Sequence, residues 1–117
     1  MKPLFALLTI ALLLAGGAAV FAEDGAWTGE VLDLTCYERN GAHGPDHASC
    51  AQRCLNNGNE VALLVDGEVV KVDAAASDAE AVKTLRAHGG KNVKVTGSAA
   101  TADGKTTVTV KSVEPAS

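Results

Sequence analysis

The chain is short of aromatic residues and of clustered positive charge. It has two phenylalanines, one tryptophan, one tyrosine and one methionine, and of these only Trp27 and Tyr37 lie beyond residue 22. Few residues are therefore present to stack on nucleobases. The formal net charge is −4 and no run of Lys and Arg occurs, whereas binding a phosphate backbone requires clustered cations. These absences argue against nucleic acid as a partner.

The first 22 residues have the layout of a secretory signal peptide. One lysine precedes an apolar run, and small residues follow it in "MKPLFALLTIALLLAGGAAVFAED". This order predicts cleavage after Ala22 and a secreted or periplasmic protein with no membrane span after signal removal. Removing 22 of the 117 residues leaves 95, and losing Lys2 moves the formal charge to −5. Residues 23–117 are enough for a single small domain.

Several short segments are typical of strands. The clearest is a hairpin over residues 60–74, where Asp66-Gly67 separates two aliphatic runs and suits a tight primed turn. Alternating or β-branched residues predict the other strands over 28–34, 91–98 and 105–113, with residues 102–104 joining the last two.

A helix is predicted over residues 77–90. Ser77 is expected to be its N-cap, with Glu80 completing a capping box, and two glycines end it. Ala81, Val82 and Leu85 would form its buried stripe. His88, in the last turn, is expected to interact with the helix dipole and not with a ligand.

The order of these elements predicts a mostly β fold, a five-stranded OB-like barrel. One helix would lie between strands 3 and 4, and a short helix bearing Cys and His would be inserted between strands 1 and 2. Closing the sheet removes exposed edges. The core would be mostly valine, of which residues 23–117 contain twelve.

The inserted segment holds all three cysteines and two of the three histidines, in "CYERNGAHGPDHASCAQRC". Asp46 is expected to cap a helix that ends near Gly58. On that helix His47, Cys50 and Cys54 have the spacing i, i+3 and i+7, which places them on one face.

Two further donors precede this helix. Cys36, placed at the end of the first strand, is followed by a loop long enough to turn back over the helix face, and His43 lies within that loop. Asp33 is expected to face solvent, or to act as a partner to a metal-bound histidine.

Three interpretations of this segment remain open. The residues Cys36, His47, Cys50 and Cys54, with His43 in reserve, would form a soft-metal site for zinc or copper, although the C-x2-C spacing of common zinc sites is absent. Alternatively, a disulfide from Cys36 to Cys50 or Cys54 would staple the inserted helix to the barrel. Thiol redox activity is the third interpretation, with Cys50 beside His47 as its thiolate.

Nearly the whole of residues 23–117 resembles a family of uncharacterised secreted bacterial OB-fold-like domains. The resemblance is carried by "GEVLDLTCYERNGAHGPDHASCAQRC", with its Cys-Tyr and Gly-x-x-His-x-x-Cys-Ala-x-x-Cys motifs, and by the following "GNEVALLVDGEVVKV". It implies export and a barrel fold, and no activity. The methionines that periplasmic copper-binding OB proteins use are missing beyond Met1, so their copper chemistry is not implied.

Two functions are therefore expected, neither of them enzymatic. The first is a metal-binding or metal-handling domain that uses the Cys/His cluster. The second is a disulfide-stapled interaction module that binds a protein or another envelope component.

Overall fold

The computed structural model describes residues 21–116. Five strands and three α-helices form in this part of the chain, in the order β1 (Phe21–Asp33), α1 (Leu34–Asn40), a 3-10 helix (Pro45–His47), α2 (Ala48–Asn56), β2 (Val61–Val65), β3 (Glu68–Val72), α3 (Ala79–Arg86), β4 (Asn92–Ala102) and β5 (Lys105–Pro115). The predicted leader, residues 1–22, lies outside the described residues except for its last two, which begin β1. Within 21–116, the helices are too short or too polar to span a membrane.

The strands close into a barrel in the order β1-β2-β3-β5-β4. β1 closes it by pairing with β4 from Phe21↔Thr101 to Glu30↔Asn92, and with β2 from Glu30↔Leu64 to Asp33↔Val61. The pairing is antiparallel except between β3 and β5. The predicted OB-like barrel is therefore confirmed, with α3 between the third and fourth strands and the remaining helices between the first two.

Both hairpins of the barrel turn at Asp-Gly. Asp66 and Gly67 have φ of 50° and 82°, and Asp103 and Gly104 have φ of 53° and 75°. Two successive residues with positive φ give a turn whose twist matches that of the strands. The predicted hairpin over residues 60–74 is confirmed as β2 and β3.

The barrel interior is built largely from valine, as predicted. On β4 and β5 the alternate residues Val93, Val95, Val108 and Val110 are buried. They belong to the main core with Val31, Leu55, Val61, Leu63, Val72, Ala81 and Leu85, and Trp27 packs against it. A smaller cluster, formed by Leu32, Leu34 and Ala62, lies on the other side of β1 and contacts Tyr37.

The N-cap of α3 is Asp78, so the prediction of Ser77 is wrong. The Asp78 carboxylate accepts the backbone N–H of Ala81 at 2.9 Å. The Ser77 hydroxyl instead accepts the N–H of Val110 at 2.8 Å and donates to the carbonyl of Asp73 at 2.6 Å. The Ser77 hydroxyl is thus used in one bond to β5 and one to the preceding loop, and it does not cap the helix as the local sequence predicts.

The predicted buried stripe of this helix is largely confirmed, but the helix spans Ala79–Arg86 and ends before the two glycines that were expected to end it. Ala81 and Leu85 are buried, whereas Val82 is only partly so. His88 lies just beyond the helix, and its Nδ1 is 2.7 Å from the carbonyl oxygen of Thr84.

The segment between β1 and β2 contains more helix than predicted. Cys36 lies in α1 and not at the end of a strand or in a loop. Gly41 ends α1 with φ of 73° and donates its N–H to Tyr37 at 2.7 Å, which is a left-handed C-cap. Asp46 lies inside the 3-10 helix and makes no capping bond, so the predicted cap there is also wrong.

Candidate metal centre

Asp33 is a buried carboxylate, contrary to the expectation that it faces solvent. It is 2% exposed, and it is the one charged member of the buried core among the described side chains. Its neighbours explain the burial, because Val31 lies in the main core while Leu32 and Leu34 lie in the smaller cluster. The end of β1 is therefore covered on both faces.

Asp33 forms a group with Cys36 and His47 in which metal-donor atoms converge. One carboxylate oxygen, the thiol sulfur and one imidazole nitrogen all lie within 4.8 Å of one another. Asp33 ends β1, Cys36 lies in the first turn of α1, and His47 ends the 3-10 helix. Each of the three donors thus comes from a separate element. Two of the donor residues, Cys36 and His47, were predicted as metal ligands from the sequence.

Two buried polar atoms of this group have no hydrogen-bond partner. They are Oδ2 of Asp33 and Nε2 of His47, the two buried side-chain nitrogen or oxygen atoms without a partner in the described part of the chain. Leaving one such atom unsatisfied costs about 1–3 kcal/mol. Since both atoms belong to one group of donors, a shared ligand would satisfy them together.

Asn59 holds the other oxygen of the carboxylate. Its side-chain Nδ2 donates to Oδ1 of Asp33 at 3.1 Å, and its backbone N–H donates to the carbonyl of Cys54 at 3.1 Å. Asn59 therefore ties the end of α2 to the end of β1. This leaves Oδ2 as the carboxylate oxygen without a hydrogen-bond partner.

Cys54 lies beside this group, and Cys50 lies one turn earlier on the same helix. Burial raises the pKa of Asp33, but the neighbouring Cys36, Asn59 and Cys54 outweigh burial, so the pKa lies below its usual value. Oδ2 of Asp33 has no hydrogen-bond partner. The thiols therefore lie near the carboxylate but do not form a hydrogen bond of normal geometry with Oδ2. Cys50 is half-buried one turn before Cys54 and is outside the group.

The thiols near Asp33 hold their protons tightly. The Asp33 carboxylate, which the Cys36 thiol faces, and then burial raise the pKa of Cys36 from 9.0 to about 11. Burial, followed by the same carboxylate, raises the pKa of Cys54. A metal ion that uses these sulfurs must displace their protons, and its own charge supplies the driving force.

His43 is not part of the group. Its Nδ1 is 3.3 Å from Oε1 of Glu30, and its ring lies edge-on to Tyr37 with the centroids 6.0 Å apart. Oε2 of Glu30 also accepts the N–H of Gly44 at 2.6 Å. His43 thus helps to anchor the loop before the 3-10 helix to β1.

All three cysteines are free, so the disulfide alternative is not formed in this structure. Cys50 and Cys54 lie one turn apart on one helix, and Cys36 faces the Asp33 carboxylate. The pKa values of Cys36 and Cys54 are raised, so these two thiols lack the lowered pKa of a redox-active thiolate; the redox interpretation, which names Cys50, stays a prediction.

The sequence did not predict Asp33 as a direct donor, nor Asn59 as the residue whose side chain donates a hydrogen bond to the Asp33 carboxylate. One signal for Asp33 was present, because "VLDL" places aliphatic residues on both sides of the aspartate and so contradicts a solvent-facing strand. No comparable signal marks Asn59, which is separated from Asp33 by 26 positions.

Comparison with known proteins gives no match: neither a family model, a curated protein nor a solved structure is similar to this chain. The site and the fold therefore carry the functional argument.

Proposed function

We propose that this domain binds a zinc ion through Asp33, Cys36 and His47. The proposal is supported by two observations that concern the same three residues. Three donor atoms lie within 4.8 Å of one another, and two of the same residues hold the unpartnered buried atoms Oδ2 and Nε2. Binding one cation would satisfy both atoms and relieve the charge of the buried carboxylate.

The donor chemistry favours zinc over copper. Zinc accepts sulfur, imidazole nitrogen and carboxylate oxygen in tetrahedral sites, whereas cuprous copper prefers a set of soft sulfur ligands. Cys54, beside both Asp33 and Cys36, is the donor best placed for a fourth position. The proposed activity is metal binding or handling without catalysis, in the secreted or periplasmic setting that the leader predicts.

Metal titration of reduced, chelator-treated protein tests this proposal. Zinc is titrated in competition with an indicator, and cobalt(II) is used as a spectroscopic substitute. Wild-type protein should bind one ion, and Asp33→Asn and His47→Ala should each weaken binding at least about tenfold. His43→Ala is the matched control, because its imidazole pairs with Glu30 outside the site, and its affinity should equal that of wild type.

Unaltered zinc binding in both Asp33→Asn and His47→Ala would contradict the proposal. Circular dichroism and thermal unfolding of each variant separate loss of the site from loss of the fold. The intact mass of the native protein distinguishes the alternative function: a metal-free protein two protons light would indicate a disulfide-stapled interaction module.

A further inference from the structure

We propose that a cationic groove between α2 and α3 binds an acidic peptide segment of a partner protein. This inference does not depend on the metal site. It rests on the shape of the surface, the distribution of charge and the way in which the groove walls are held.

The groove consists of two adjoining depressions. The larger, of about 620 Å³, runs along the outer face of α2 from Pro45 past Ser49, and its opposite wall is the segment that follows α3. The smaller, of about 380 Å³, lies between the end of α2 and the last turns of α3. Because Asn56 and Ala87 line both depressions, they form one continuous surface.

Every charged residue that the described part of the chain contributes to the groove is a cation. Arg53 and Lys91 line the larger depression, and Lys83 and Arg86 line the smaller one. Four of the chain's ten Lys and Arg residues are thus gathered at this one surface, although the formal net charge is −4. No carboxylate of the described residues forms an ion pair with any of the four.

The groove differs in this respect from the depression beside β3. That depression, of about 270 Å³, is lined by Glu38 and Glu68 together with Lys71 and Lys105. Helix dipoles favour cations in the last turns of α2 and α3. They do not explain Lys91, which lies beyond α3, or the absence of acidic side chains from both walls.

The walls of the groove are held firmly together. Gln52 donates from Nε2 to the carbonyl of Arg86 at 2.7 Å and accepts the N–H of Gly89 at 2.9 Å. The Arg86 guanidinium donates to the carbonyl of Leu55. A Cβ at Gly90 would lie 2.7 Å from that of Ala48, so the two segments meet closely. A preformed groove binds with less loss of conformational entropy.

An acidic peptide fits this surface better than other polyanions. The surface is recessed, whereas a bilayer presents a flat face, and within residues 21–116 no aromatic side chain lines it for stacking on nucleobases. An extended peptide places alternate side chains about 7 Å apart on one side. Its carboxylates can thus line one side of the peptide and face the cations of the groove, and this charge complementarity would fix its register.

Fluorescence anisotropy with a labelled peptide of alternating Asp and Ser tests the inference. The groove variant Arg53→Gln/Lys91→Gln is compared with the control variant Lys94→Gln/Lys111→Gln, whose lysines are exposed on β4 and β5. Both variants lose the same charge. At low ionic strength the groove variant should bind about tenfold more weakly than wild type, and the control variant less than about twofold more weakly.

Three outcomes would overturn the inference. They are absence of peptide binding at low ionic strength, equal weakening in the two variants, and equal binding of a peptide in which Asn replaces Asp. Competition by inorganic phosphate or by anionic phospholipid vesicles as strong as that by unlabelled peptide would also count against it, because the groove would then recognise anions in general.

Discussion

At the scale of single residues, Asp33 distinguishes this barrel from a purely apolar one. Both faces of the end of β1 are covered by core residues. A position of this kind ordinarily holds an aliphatic side chain, and here it holds a carboxylate. A buried charge is strongly unfavourable unless it is paired. Asn59 and the thiols of Cys36 and Cys54 offset part of this cost, and the proposed zinc ion would offset the rest.

Replacing Asn59 by Ala should weaken zinc binding by about 10- to 100-fold, because the amide that orients the carboxylate is lost. Competition titration with a zinc indicator measures the effect. Asn57→Ala, an exposed residue at the end of α2, is the matched control. Equal affinities for the two variants would show that Asn59 does not position Asp33.

Stability of the metal-free protein should fall between about pH 9 and pH 11. The Cys36 thiol ionises near 9.0 in the unfolded chain and near 11 in the fold. Below pH 9 both states hold the proton and the contribution is fully present. Above it the unfolded chain releases the proton first, so the free energy of unfolding decreases until the folded pKa is passed.

Urea unfolding at a series of pH values measures this decrease. Cys36→Ser removes the titrating group and should flatten the profile, apart from the smaller change in the same direction that the raised pKa of Cys54 predicts. An equally steep decrease in Cys36→Ser would contradict the assignment.

At the scale of elements, the short helices between β1 and β2 decide which donors meet. Sequence spacing predicted one helix face carrying His47, Cys50 and Cys54. In the structure His47 ends a 3-10 helix instead, and Cys36 is carried by α1. Because His47 lies outside the α-helix that carries Cys50 and Cys54, the prediction of one shared α-helical face does not apply to it.

The start of α3 offers a separate test at this scale. Asp78→Ala removes the capping bond to Ala81 and should lower the free energy of unfolding by about 1 kcal/mol. Glu80→Ala, the change that would break the capping box expected from the sequence, should cost less than about 0.5 kcal/mol. Urea unfolding compares the two variants. A larger loss in Glu80→Ala would contradict Asp78 as the N-cap.

At the scale of the whole molecule, closure of the barrel fixes the site. β1 pairs with both β4 and β2, so its last residue is held while the inserted helices pack over it. The β4–β5 register shifts between Thr96 and Gly97, with the extra residue, Lys111, on β5, and a Cβ at Gly97 would collide with the backbone of Thr109. Asp33 therefore lies at the end of a barrel strand, with Cys36 and His47 on the helices inserted after it, and placement on regular elements favours a preformed metal site.

Export is predicted at the same scale. Protein expressed with its first 22 residues should be recovered outside the cytoplasm as a chain of 95 residues beginning at Glu23. Intact mass spectrometry of the soluble envelope fraction measures this. The pairing of β1 with β4 from Glu23↔Ala99 onward would persist after cleavage. Recovery of the uncleaved mass from membranes would indicate a retained anchor instead.

The periodicity and turn chemistry of the sequence were sufficient to predict the barrel. Alternating valines specify the inward faces of β4 and β5, and Asp-Gly at 66–67 specifies the β2–β3 hairpin, because these features depend on neighbours in the chain. Cys36 and His47 could likewise be predicted as donors from residue type and proximity.

The rest of the site was decided by tertiary structure. Asp33 is buried because two separate clusters cover the end of β1, and Asn59 reaches it across 26 positions. Ser77 bonds to β5 and leaves the capping of α3 to Asp78. Each outcome depends on residues distant in the chain that meet only when the barrel closes, so local patterns carry no signal for it.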